Sequence, residues 1–181
     1  MSSSSSGRVM GFDPGYGITG WGFVRHGRRG FDPGQTAYGV ISTSKNLPVQ
    51  ERMASILREA RELLDEHDPD CVVVEKLFMN KNIKTAGEVY QARGVLLAAV
   101  AEHGAELLEL TPNRIKQMIT GHGSAGKREV ILMVGRLLNI RETIAPDDAA
   151  DALAGALCGA FYVSSHNILT AATVGRGGPR L

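Results

Sequence analysis

Two carboxylates stand where an apolar run stops. Val9 to Phe12 ends in Asp13-Pro14-Gly15, and the β-branched run Cys71 to Val74 ends in Glu75. A charge placed directly after such a run is costly unless it is paired or metal-bound. Acids at the ends of neighbouring strands can also converge on one ligand. Three more acids, Asp147, Asp148 and Asp151, open the last helical stretch. Asp148 and Asp151 share a helical face and could both reach one ion, while acids in a first turn are favoured by the helix dipole and as caps in any case. Asp147 is assigned the cap, and Asp148 or Asp151 the third ligand position. A set of oxygen donors of this kind suits Mg²⁺ or Mn²⁺, and two such ions about 3.5 to 4 Å apart support in-line phosphoryl displacement. No Cys/His spacing points to zinc. Asp-Pro-Gly recurs at Asp32-Pro33-Gly34, where it reads as a turn.

The elements that must carry these residues follow from hydrophobic periodicity. Val9–Phe12 and Ile18–Val24 read as strands, and Pro14, which disfavours helix at the residue before it, marks the turn between them. A third strand, Ala37–Ser42, follows a Gly- and Arg-rich hairpin from Arg25 to Thr36. Met53, Ile56, Leu57, Ala60, Leu63 and Leu64 repeat at three and four, giving a helix stopped near Pro69. Cys71–Val74 has the composition of a strand buried on both faces. A helix from about Thr85 to Glu102 is apolar on nearly every side between Val95 and Ala101, so one face must meet something beyond its own sheet. Leu107–Leu110 is a further strand, Thr111-Pro112 opens a short helix, and the loop 121–126 leads into a helix near Arg128–Leu138. The last helix opens at 146–148 and is expected to end about Tyr162. This order predicts an α/β domain: a mixed five-stranded sheet, three strands antiparallel and the rest added in parallel through helical crossovers, flanked by helices.

A chain of 181 residues fits a single domain, drawn here at 8–163. Residues 1–7, serine-rich with no apolar core or positive flank, read as a cloning remnant and are expected to be disordered. Residues 164–181 thin into Gly-Arg-Gly-Gly-Pro-Arg and are expected to form a flexible tail. No apolar stretch reaches membrane-spanning length, and Cys71 and Cys158 read as buried thiols of a reducing compartment, so a soluble cytoplasmic protein is expected. A net charge of +1 removes the argument that a very basic protein must bind nucleic acid, and leaves the case to local charge. Acids lead from Glu51 to Asp70, whereas Lys76, Lys81, Lys84, Arg93, Arg114, Lys116, Lys127 and Arg128 make a basic middle. Contacts from such residues to phosphates release counterions and weaken steeply with salt. Taken singly, Lys45 and Lys81 read as solvated surface charges. Phe78, in the polar loop with Met79, Asn80 and Asn82, could stack on an unpaired base for about 1 to 3 kcal/mol, or could anchor the loop. His122 sits between two glycines with no partner visible in the sequence and receives no role.

At these residues the chain resembles the RuvC family of bacterial Holliday-junction resolvases, over Arg8 to about Phe161. The pieces that carry the resemblance are Gly11-Phe12-Asp13-Pro14-Gly15 with Thr19-Gly20, Glu75-Lys76-Leu77-Phe78, and Gln91-Ala92-Arg93-Gly94-Val95. Lys116-Gln117 leading to Gly121-His122-Gly123-Ser124-Ala125 with Lys127, and Asp148-Ala149-Ala150-Asp151-Ala152-Leu153-Ala154, complete the set in the family's order. The resemblance implies a ribonuclease-H-like fold, a homodimer and paired symmetric nicks in like strands of a four-way DNA junction, leaving 5′-phosphate and 3′-hydroxyl ends. It implies that Asp13, Glu75, Asp148 and Asp151 hold Mg²⁺ or Mn²⁺, two per site, with Asp148 rather than Asp147 as the ligand. Lys116 and Lys127 match basic residues needed for activity, Phe78 matches an aromatic that stacks near the opened crossover, and Ser124 lies in the matching loop. The dimer is expected through the helix around Val95 to Ala101, and a branch-migration motor is implied as partner. The long hairpin 25–36 and the extra acid Asp147 depart from the family's pattern.

Other readings share parts of this pattern. An Asp-x-Gly turn followed by Thr and Gly also suits the phosphate-binding hairpin of actin-like and sugar-kinase-like ATPases, which normally need two related domains around the nucleotide. A related nuclease acting on an RNA/DNA hybrid, or a noncatalytic junction-binding protein, would keep the fold and change the activity.

Overall fold

Alternating burial along the strands builds a mixed sheet with helices on both faces. The computed structural model describes residues 7–27, 30–76 and 83–174, the side chains of 83–85 and 166–174 aside. Strands β1 (Gly7–Asp13), β2 (Ile18–Gly27) and β4 (Ala37–Ser42) form the antiparallel meander, with β2 in the middle. Strand β5 (Cys71–Glu75) lies parallel to β1, and β6 (Glu106–Leu110) parallel to β5. The five expected strands are joined by a sixth, the two-residue β3 (Gly30–Phe31), which pairs with the far end of β2. The described residues of the hairpin 25–36 thus include a short strand and a turn. Asp32-Pro33-Gly34 is a turn, the Asp32 carboxylate accepting a bond from the Gly34 N–H at 3.0 Å.

Period-two alternation sends Met10, Phe12, Val72 and Val74 to one face, beneath α1 (Val49–His67) and α2 (Ile83–His103). Val9, Cys71 and Val73 point the other way, into a core shared with α3 (Pro112–Thr120), α4 (Lys127–Leu137) and α5 (Asp147–Val174). β1 and β5 are buried on both sides, as their apolar composition requires. The Thr111 side chain accepts from the Arg114 N–H at 3.2 Å and starts α3, with Pro112 in the first turn.

Two boundaries differ from expectation. Gly7, expected outside the fold, is the first residue of β1 and pairs with His26. Helix α5 runs on to Val174 rather than ending near Tyr162. Serines look like helix breakers in a sequence, but the Ser164 and Ser165 hydroxyls donate back to the carbonyls of Ala160 and Phe161 at 2.7 and 2.8 Å, which lets the helix continue.

Helix α5 lies close to the sheet because the strand positions it crosses, Gly11, Gly20 and Gly22, carry no side chain. A Cβ on Gly11 of β1 would collide with the carbonyl oxygen of Ala152, and one on Gly20 of β2 with that of Asp148. Gly20 is the register partner of Asp13. The contact that seats α5 thus also brings its acidic first turn against the end of β1.

Candidate metal centre and its basic rim

The site is assembled by strand register. The last parallel pair of β1 and β5 is Phe12 with Val74, so Asp13 and Glu75 follow side by side at the carboxyl ends of adjacent strands. Alternation turns both toward the α5 face, since Phe12 and Val74 face α1 and α2. The turn after Asp13 is held from two sides. Thr19 is fully buried and its hydroxyl donates to the Gly15 carbonyl at 2.8 Å. Arg52 of α1, buried and with no acidic partner among the described residues, donates to the Tyr16 carbonyl at 2.9 Å and to the Thr43 hydroxyl at 3.0 Å. Its guanidinium also lies 3.6 Å from the centre of the Tyr16 ring.

The acids act on one another through their charges. Burial pushes the Asp13 carboxyl well above its usual range, and the charges of Glu75, Asp151 and Asp148 add to that push against the pull of Lys127. Glu75 is raised to about 7, by burial first and then by Asp151, with Lys116 and Lys127 opposing. Asp151 is also raised by burial, although a hydrogen bond and the charge of Lys127 hold it back. Neither Asp13 nor Glu75 is held by a hydrogen bond from a described residue. Burial alone would lower the Lys127 ammonium, but its contacts with Asp151 at 3.1 Å and Asp147 at 3.5 Å outweigh that and keep it raised.

A hollow of 190 Å³ opens beside these groups, lined by Glu75, Lys116, Lys127 and Asp151 over an apolar floor that includes Ile115 and Val130. Among the described residues no three acids or histidines are close enough to enclose an ion by themselves. What the structure provides is a face of partly buried carboxylates short of hydrogen-bond donors. Such oxygen donors fit a hard divalent cation, which would offset their mutual repulsion.

The other candidates fall into three groups. Lys116 and Lys127 flank the acids, while Ser124 and Arg128 lie exposed around the start of α4. Lys76 is exposed beside Glu75. Arg93 turns inward instead: it pairs with Glu109 and donates to the Glu75 carbonyl at 3.3 Å, bracing the end of β5. Arg114 reaches Gln117 and lines a separate hollow with Met118 and Tyr162. Phe78 and Lys81, and the side chain of Lys84, lie outside the described residues. Asp147 is the first residue of α5 rather than the cap before it, and faces Lys127. His122 does have partners, its ring nitrogens standing 2.9 Å from Glu129 and 3.3 Å from the Ser124 hydroxyl, which ties the 121–126 loop to α4.

Comparison with known proteins gives one consistent result. The family model described as crossover junction endodeoxyribonuclease RuvC matches residues 9–159. A protein of that name from Thermosipho melanesiensis is 44% identical over 151 residues, covering 83% of this chain and 95% of its own. One from Thermotoga maritima is 43% identical, covering 89% and 95%. The solved structure titled T. thermophilus RuvC in complex with Holliday junction substrate is 36% identical, with a TM-score of 0.79 over 86% of this chain and 94% of that one. Among the described residues no helix is long and apolar enough to cross a membrane.

Proposed function

The chain belongs to the RuvC family of crossover junction endodeoxyribonucleases, and from that premise we propose that it resolves Holliday junctions by symmetric nicks in two like strands. Each subunit hydrolyses one phosphodiester, leaving a 5′-phosphate and a 3′-hydroxyl. The observation that carries this reading is the meeting of Asp13, Glu75, Asp148 and Asp151, from three distant parts of the chain, on one face beside Lys116 and Lys127. Divalent-metal dependence goes with the family, and we assign two ions, Mg²⁺ or Mn²⁺, to these four carboxylates. Such ions supply, when bound, water activation and neutralisation of charge at the scissile phosphodiester.

The protein's own side chains do the rest. Lys127 keeps its proton through Asp147 and Asp151 and is placed to hold negative charge on the phosphate. Lys116 adds a second positive charge from α3. Ser124, on a loop tied down by His122 and Glu129, offers an exposed hydroxyl shortly before α4, and Arg128 and Lys76 extend the positive rim. Thr19 and Arg52 fix the turn that follows Asp13.

Two sites on opposed strands require two subunits. The outer side of α2 carries Tyr90, Gly94, Leu97, Ala98 and Ala101, small or apolar residues at helical spacing, next to Leu107 of the edge strand β6, which is 42% exposed. We assign the homodimer seam to this stripe, where a two-fold protein would match a two-fold junction. The motor partnership is carried over from the family resemblance alone.

The test is nicking of a synthetic mobile four-way junction with Mg²⁺ or Mn²⁺ and with chelator, alongside an RNA/DNA hybrid. Asp13→Asn is expected to abolish nicking and leave junction binding in place. Cleavage retained by both Asp13→Asn and Glu75→Gln would defeat the metal assignment, and cleavage of the hybrid in preference to the junction would redirect the activity.

A further inference from the structure

A second hollow, of 660 Å³, lies between α4 and the segment that leads into α5. It is lined by Arg128, Arg136 and Arg141 together with the aliphatic Ile131 and Leu132. Arg128, Leu132 and Arg136 recur every four residues and share one face of α4. Leu132 is 54% exposed, although aliphatic side chains are usually among the more buried. Among the described residues, none of the three guanidiniums has an ion pair or a side-chain hydrogen bond, whereas Arg8, Arg61 and Arg93 are each tied to a carboxylate. The acids at this hollow are Glu142 and Asp147, and Asp147 already faces Lys127. Asp147, 3.5 Å from Lys127, sets this hollow next to the edge of the candidate metal centre.

We propose that this arginine-lined hollow grips the phosphodiester backbone of the duplex arm that runs from the scissile phosphate past Asp147. The inference rests on the nuclease reading and extends it to Arg136 and Arg141. Three unpaired guanidiniums around an open hollow complement a polyanion. Arg128 and Arg136 are separated by about 12 Å along the helix, the rise of three to four base pairs, so they meet different phosphates of one arm. That separation is too wide for a single small anion. The exposed Leu132 between the arginines suits the sugar faces between the phosphates.

The test uses Arg136→Ala/Arg141→Ala, two exposed positions outside the metal centre, in the full chain. Binding of a synthetic four-way junction is measured in chelator from 50 to 200 mM salt, with single-turnover nicking at saturating protein in Mg²⁺ as the second measurement. The expected result is a plot of log K against log salt flatter by about two, affinity at low salt weaker by about tenfold or more, and an unchanged nicking rate once bound. Unchanged affinity and slope would overturn the proposal. So would weaker binding at an unchanged slope, since phosphate contacts would then not be what was lost. A change of oligomeric state with an unchanged slope would make this face a subunit contact, again overturning it. Failure of the unsubstituted chain to bind the junction would instead strike at the nuclease reading itself.

Discussion

Glu75→Gln tests the convergence of acids without any appeal to activity. Glu75 ordinarily titrates near 4.5 and is raised to about 7 in the fold, by burial and then by Asp151. Between those values the folded chain holds a proton that the unfolded chain has lost. Stability is therefore fully present below about pH 4.5 and drains away as pH rises through about 7, the sign expected of a carboxyl raised by folding. The shift corresponds to about 3 kcal/mol by pH 8. Asp13 acts in the same direction. An amide at position 75 carries no such charge, so in chelator at pH 8 the variant should melt higher than the unsubstituted chain. For a protein of this size about 3 kcal/mol is roughly 6 to 12 °C, the opposing pull of Lys116 and Lys127 being already contained in the raised value. At pH 5 the two melting curves should nearly coincide. Added Mg²⁺ should raise the unsubstituted chain more than the variant and narrow the gap at pH 8. Thermal unfolding at both pH values, with chelator and with Mg²⁺, reads all of this. A variant that melts at or below the unsubstituted chain at pH 8 in chelator would refute the idea that Glu75 is a strained carboxylate among other acids.

Two further substitutions probe how the site is held. Gly20→Ala sets a methyl group against the Asp148 carbonyl; we expect about 1 to 3 kcal/mol of lost stability by denaturant titration, with a drop in nicking larger than the drop in junction binding. Arg52→Ala removes both bonds that secure the Tyr16 carbonyl and Thr43. It should lower the Mg²⁺-induced rise in melting temperature and the single-turnover rate together while junction affinity stays within about twofold, and Arg52→Lys should recover only part, since an ammonium lacks the planar fork.

Asp13 and Glu75 could be found in the sequence because each ends an apolar strand, and a one-residue periodicity error would have shown at once as a charge inside the run. The choice between Asp148 and Asp151 could not be made that way. Three acids in one helical turn have nearly equal claims until the helix is rotated against a sheet, and the rotation is fixed by Gly11 and Gly20, whose small size looks like ordinary turn or strand composition. In the sequence Arg52 reads as one charge in a mixed segment. A signal was present: Arg52, Ile56, Ala60 and Leu64 are the buried positions of α1 and recur every four residues, so the arginine lies on the apolar stripe. Arg93 is the opposite case. Its basic character suggested a nucleic-acid contact, but its partner Glu109 is on β6, a strand brought near only by the parallel crossover. His122 likewise found Glu129 only once α4 had fixed the loop.

The order in which the carboxylates occur along the chain has a consequence for biosynthesis. Asp13 emerges from the ribosome early, whereas Asp148 and Asp151 belong to the final helix, which also covers the inner face of β1 and β2. A nascent polypeptide lacking that helix carries only half of the acids and an exposed apolar sheet. On the proposed assignment of the four carboxylates, the site is completed only at the last stage of folding, when this helix docks on the sheet.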